Sequence, residues 1–238
     1  MPPPARSTRT YRSVARLVRP ALLAMTRPDW SGVEHLPTDR GIIVAVNHMT
    51  NLDPLTAAHF LWDNGFAPRI MGKDSLFRVP VLGRLLDAIG AIPVQRGTAA
   101  GARSLDAAAE ALGRGECVLV FPEGTLTRDP DLWPMRAKTG TARLALATGA
   151  PVVPVAQWGA HRVLAPYGKV LKPVPRKTSS VVAGAPVDLT DLSKTSAETA
   201  RVATTRIMAA ITAQLAELRG ESAPTGFWDP RTQTRVDS

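Results

Sequence analysis

Short apolar runs and amphipathic stretches alternate along most of this chain. Runs suited to buried strands occupy residues 42–46, 70–71, 91–94, 118–121, 152–156 and 181–183. Stretches with helical spacing of apolar side chains lie between them, at 54–62, 81–88, 100–112 and 139–148. A last helix, opened by a capping box from Thr195 to Glu198, reaches about Arg219 with Ile207, Ile211, Leu215 and Leu218 on one face. Strand and helix in alternation predict an α/β fold, a mostly parallel central sheet flanked by helices, with its working loops at strand ends.

The first 28 residues read differently. They carry six arginines and no acidic residue, behind a proline-rich start expected to be disordered. Val14, Leu17, Val18, Ala21, Leu22 and Met25 recur at helical spacing, with Arg12, Arg16 and Arg19 largely off that stripe and Pro20 interrupting it. An N-terminal amphipathic helix of this kind suits the headgroup boundary of an anionic bilayer. It equally suits a helix docked on the domain with a solvated basic face, and its composition also fits a transit peptide. The expected organisation is a basic, partly disordered, membrane-associating segment over 1–28, one catalytic domain over 29–220 and a loosely held tail over 221–238.

Length and charge narrow the classes of partner. A chain of 238 residues suits one sizeable core, and its formal charge of +9 calls for a polyanionic partner. Of an anionic membrane surface, a phosphorylated substrate and nucleic acid, nucleic acid fits least: there is no zinc spacing, no helix-turn-helix and no metal-ligand set, and aromatics are only 5% of residues. Cys117 is the only cysteine and sits inside an apolar run, so a small buried side chain is expected and no intrachain disulfide can form. No apolar run approaches the roughly 18 residues of a spanning helix and no secretory signal is visible, so a soluble or peripheral protein is expected.

Two strand ends carry the chemistry. After the run GIIVAV comes NHMTNLD, which places His48 at a strand end and Asp53 five residues on. An imidazole so placed is a candidate general base, and a nearby carboxylate can orient it. Asp53 precedes Pro54, which also reads as an ordinary helix start with the acid as N-cap. At the second strand end stands FPEGT, residues 121–125. Glu123 brings a carboxylate, Gly124 lets backbone approach a ligand, Thr125 offers a hydroxyl and Arg128 follows. A further basic concentration, from His161 to Lys177, holds Arg162, Lys169, Lys172, Arg176 and Lys177 without an acid. It suits the phosphates of coenzyme A, an acidic carrier protein or lipid headgroups, or it is a solvated loop.

Together these segments resemble the glycerolipid acyltransferase family, PlsC-like enzymes of the lysophosphatidic acid acyltransferase type. The His, four residues, Asp motif and the later FPEGT carry the resemblance. The stretch 72–97, with Lys73, Leu76, Pro80, Gly83, Gly90 and Arg96, resembles the family's second block, and APVVPVA at 150–156 its fourth. The resemblance implies that His48 deprotonates the free hydroxyl of a lysophospholipid, which attacks an acyl thioester directly while Asp53 orients the imidazole. It assigns Arg96, Glu123, Gly124 and Thr125 to the acceptor's glycerol phosphate, with Lys73 and Arg128 as further acceptor contacts. Lys138, where relatives often carry a lysine before a glycine, and Lys172, Arg176 and Lys177 of the basic concentration are candidates for the donor or a basic surface. The implied substrates are lysophosphatidic acid and acyl-CoA or acyl carrier protein, with no bound cofactor or metal, at the cytoplasmic face of a bacterial membrane. One departure stands out: relatives often have Arg directly after the Thr of FPEGT, where this chain has Leu126.

Overall fold

The strand β2 (Ile42–Val46) is buried along its whole length, because both of its faces are covered. Ile42, Val44 and Val46 point into one apolar cluster, and Ile43 and Ala45 into another. That is the alternation a strand imposes on its side chains, and burial on both sides explains why the run is apolar throughout. The computed structural model describes residues 4, 7–95, 99–192 and 196–236.

Around β2 stand β1 (Thr26–Ser31), β3 (Arg69–Lys73), β4 (Ile92–Val94), β5 (Cys117–Val120), β6 (Val152–Trp158) and β7 (Lys177–Ala183), in the order β1-β7-β6-β2-β5-β3-β4. All neighbouring pairs are parallel except β6 with β7. The α/β sandwich expected from the pattern is therefore the fold. The C-terminal ends of β6, β2, β5, β3 and β4 share one edge of the sheet, and the loops leaving them are neighbours.

On one face, α2 (Asp53–Asp63) presses Ala57, Phe60 and Leu61 onto β2, and α4 (Pro80–Ala88) adds Leu86. On the other, α5 (Ala99–Gly113), α6 (Gly140–Thr148) and α7 (Ala197–Arg219) supply Ala108, Ala142 and Ile207. Fully burying a side chain such as Phe60 contributes roughly 1.5–3 kcal/mol, so truncating it here would cost about 3–5 kcal/mol. A short α3 (Asp74–Phe77) leads from β3 into α4. The N-cap of α7 is Ser196, whose hydroxyl accepts from the Thr199 amide; Thr195 lies outside the described residues.

Both ends of the chain depart from the expected organisation. The helix α1 (Arg9–Met25) runs through Pro20 without a break. Its apolar stripe turns inward: Tyr11 stacks on Trp62 of α2 with centroids 5.2 Å apart, and Leu22 is buried among Leu52, Ala160 and Val163. Arg19 grips Asp63 with two nitrogens. Leu17, read as part of the stripe, is instead 78% exposed. The expected boundary at residue 28 falls inside β1, an edge strand whose Pro28 is tolerated because an edge leaves an amide unpaired. The tail is not loose: β8 (Phe227–Asp229) and β9 (Thr234–Val236) form a hairpin tied down by Arg136–Asp229 at 3.1 Å and by an ion pair between Arg235 and Asp129.

Candidate active site

His48 stands two residues past β2, and Glu123 three residues past its neighbour β5. Because Ala45 is level with Val120 in the parallel register, the two loops leave the sheet side by side. Their backbones are knitted together. The His48 amide donates to Glu123 Oε1 at 3.0 Å, and the His48 carbonyl accepts from the Thr127 amide at 2.7 Å. Both backbone groups of the histidine are thus held by the loop after β5, one by Glu123 of FPEGT and one by Thr127 just beyond it.

The imidazole is held by Asp53. His48 Nδ1 lies 3.0 Å from Asp53 Oδ2, and the ring stacks on Phe121 with centroids 4.1 Å apart. A carboxylate against Nδ1 fixes that nitrogen as the donor, so Nε2 carries the free lone pair. Asp53 is fully buried, whereas the His48 side chain keeps 14% exposure, enough for Nε2 to meet a substrate. The same Oδ2 also accepts from the amides of Met49 at 2.5 Å and Thr50 at 2.7 Å. This corrects the helix-cap reading of Asp53. It is the first residue of α2 and makes no cap bond to the helix; it folds back to organise the loop that carries His48.

Glu123 has a different task from the one expected. It is buried, and its second oxygen accepts from the Met135 amide at 3.0 Å, so both oxygens are taken by backbone and the side chain is a brace rather than a ligand contact. Burial pushes its carboxyl up to about 8, against the pull of the two amide bonds and helped by Asp53 and Asp129. Gly124 follows at φ +70°, a left-handed turn closed by its amide on the Phe121 carbonyl at 2.9 Å.

Residues 27–158, just over half the chain, match the family model described as Acyltransferase. The chain belongs to the acyltransferase family. Among named relatives of this family member, a chloroplastic 1-acyl-sn-glycerol-3-phosphate acyltransferase of Brassica napus is 31% identical over 140 residues, 58% of this chain and 39% of that protein. One from Bacillus subtilis is 33% identical over 129 residues, 53% of this chain and 60% of the relative. The matched stretch thus spans less than two thirds of either relative. The crystal structure of the 1-acyl-sn-glycerophosphate acyltransferase PlsC from Thermotoga maritima shares the fold, with a TM-score of 0.70 and 23% identity, over 90% of this chain and 81% of that one.

The remaining candidates of this acyltransferase family member scatter. Lys73 is exposed at the end of β3, Thr125 is half-buried, and Arg128 and Lys138 are exposed on the loop after β5. Arg96 lies outside the described residues. Leu126, at the position where an arginine was looked for, is buried, and its carbonyl accepts from the Tyr167 hydroxyl at 3.1 Å. Lys172 is exposed, but Arg176 is occupied: its guanidinium donates to the Thr26 carbonyl at 2.7 Å, and Lys177 opens β7 beside it.

Sequence reasoning missed the polar frame behind His48. Asn47 and Gln157 are both buried; Asn47 Nδ2 donates to the Gln157 carbonyl at 3.1 Å and Asn47 Oδ1 accepts from the Gln157 amide at 2.8 Å. Thr56 donates to Gln157 Oε1 at 2.7 Å, joining β6, α2 and the histidine loop. A glutamine ending the apolar run VVPVAQW was the available signal, since buried polar groups need partners. His161 was read only as the start of a basic concentration. Burial and then Arg162 push it down to about 4, so it stands uncharged beside Trp158, near enough for the charge of Asp53 to act on it.

Proposed function

We propose that this acyltransferase family member moves a fatty acyl group from a thioester, acyl-CoA or acyl carrier protein, to the free hydroxyl of lysophosphatidic acid, giving phosphatidic acid. The observation that carries the reading is the His48–Asp53 pair, with Nδ1 committed to a buried carboxylate and Nε2 turned to the partly open side. Nε2 takes the hydroxyl proton as the oxygen attacks the thioester carbon. The C–O bond forms, the C–S bond breaks, and the proton passes from the imidazolium to the leaving thiolate. Asp53 stabilises the imidazolium between those steps.

The acceptor's phosphate requires cations at the same sheet edge, and Lys73 and Arg128 are exposed there. No described helix is long and apolar enough to cross a membrane, which fits a reaction at the surface of a bilayer. A second reading, the same chemistry on a lysolipid with another headgroup, is supported by Leu126, which leaves the phosphate without the arginine at that position.

The test is thiol release from palmitoyl-CoA with lysophosphatidic acid as acceptor, the product read by mass spectrometry. The wild-type chain releases thiol only with acceptor, and His48→Ala loses roughly 10² to 10⁴ in turnover, the worth of a positioned general base, with its melting curve retained. Unchanged turnover in His48→Ala would sink the mechanism. Release with another lysolipid alone would move the acceptor to the second reading.

A further inference from the structure

Apart from the single residues Leu17, Val33 and Leu55, the large apolar side chains left bare on the described surface gather in two places, and both are at the edge of the sheet that holds His48. One is the loop from β6 to β7, where Val170 is 72%, Leu171 50% and Val174 82% exposed. The other is the turn from β3 through α3 into α4, where Val79, Val81 and Leu82 are exposed, Val81 at 80%. Each carries cations among its apolar residues: Lys169 and Lys172 in the loop, Arg78 and Arg84 on the helical turn.

Their placement follows from topology. Strands β6, β2, β5 and β3 are parallel neighbours in that order, so the loop leaving β6 and the helix leaving β3 rise from the same edge, on either side of the His48 and Glu123 loops. The β6 loop is fixed to the site. Thr50, inside the histidine loop, donates to the Leu164 carbonyl at 2.7 Å, and Tyr167 donates to Leu126. The Lys172 amide donates to the Val163 carbonyl at 2.7 Å, and Leu171 bridges to Leu164, so the tip between them is held outward.

We infer that these two rims are the surface by which this protein rests on an anionic lipid bilayer, with the His48–Asp53 pair between them at the headgroup level. The inference rests on the lipid-acyltransferase reading of that same site. It reassigns the bilayer contact expected for α1, whose apolar stripe, Leu17 apart, is covered by α2 and the residues around Leu52. Exposed valines and leucines rimmed by basic side chains match the two parts of a bilayer interface, acyl boundary below and anionic headgroups above. An acidic carrier protein would need the cations but not three bare apolar residues at a loop tip.

Flotation of the full chain with phosphatidylcholine vesicles, with and without phosphatidylglycerol, tests the surface without reference to turnover. Binding to the anionic vesicles is expected, with Val170→Glu/Val174→Glu and, separately, Val81→Glu/Leu82→Glu each weakening it at least about ten-fold. These variants should keep wild-type turnover of a water-soluble, short-chain lysophosphatidic acid. Because Cys117 is buried and is the only native cysteine, Val170→Cys can be labelled selectively with an environment-sensitive fluorophore. Its emission should shift to the blue on anionic vesicles. Wild-type flotation by both double variants, or no spectral shift, would overturn the proposal. So would a Lys169→Gln/Lys172→Gln variant that loses only carrier-protein-dependent turnover and floats like wild type. A chain that floats as expected but transfers no acyl group would leave this surface standing and remove the catalytic reading.

Discussion

Two carboxylates are buried beside His48, and they do opposite work. Asp53 puts one oxygen against the imidazole and the amides of Met49 and Thr50, so it faces the ring that the proposed reaction makes cationic. Glu123 spends both oxygens on amides, His48 on one side and Met135 on the other, and touches no side chain of the pair. In the proposed reaction one carboxylate supports a charge; the other holds a loop through its backbone contacts. An Asp and a Glu in the loops that follow neighbouring strands look alike in a sequence, and only the partner of each oxygen separates them.

The contrast breaks most sharply at Asp53. Asp53→Asn keeps an oxygen for the loop amides but removes the charge that stabilises the imidazolium, so kcat should fall by roughly 10² or more with KM little changed. Steady-state kinetics on the folded variant decide it. A loss confined to KM would make Asp53 a loop brace like Glu123.

A smaller effect is expected at Glu123. Glu123→Gln sets an amide NH₂ against one of the two backbone donors, leaving a buried group unpaired at a cost of about 1–3 kcal/mol. Activity should fall by no more than about ten-fold, because Nε2 and Asp53 remain in place. The pH dependence carries a sign. Burial raises the Glu123 carboxyl from 4.5 to about 8, so the folded state holds a proton that the unfolded state releases. Its contribution to stability is complete below about 4.5 and drains away as pH rises through about 8. Thermal melts of wild type should decline across that window relative to Glu123→Gln. Parallel curves would show that the two amide bonds outweigh burial and keep the carboxyl ionised.

Legibility in the sequence follows the same division. The strands β2 and β5, buried on both faces, were readable because continuous burial leaves a continuous apolar run. The His48–Asp53 pair was readable because its members are five residues apart on one loop. Glu123 binds a residue 75 positions away through backbone alone, which no residue type announces. The edge strand β1, TRPDWS, buries only Thr26 fully and so shows no strand pattern. The stripe on α1 was visible, yet a stripe says that a face is covered and not what covers it. Here Trp62, Leu52 and Val163 cover it, and the bilayer reading of that helix came from the same signal.

The C-terminal hairpin gives the smallest and finest test of how far bracing extends. Arg235 pairs with the buried Asp129, whose amide donates to the Thr127 hydroxyl at 3.2 Å; the Thr127 amide in turn holds the His48 carbonyl at 2.7 Å. Arg235→Gln strands a buried carboxylate and should lower stability by up to about 3 kcal/mol, less than a fully buried pair because the arginine is partly exposed. Adding Asp129→Asn removes that stranded charge and should restore most of the stability, a coupling that a double-mutant cycle measures. The two roles of the hairpin then separate in kcat. If it only seals the chain end, the stable double variant turns over like wild type. If it braces the loop that holds His48, stability returns while kcat stays a few-fold low, since the Asn side chain restores polarity at 129 without the pull of Arg235 on the loop.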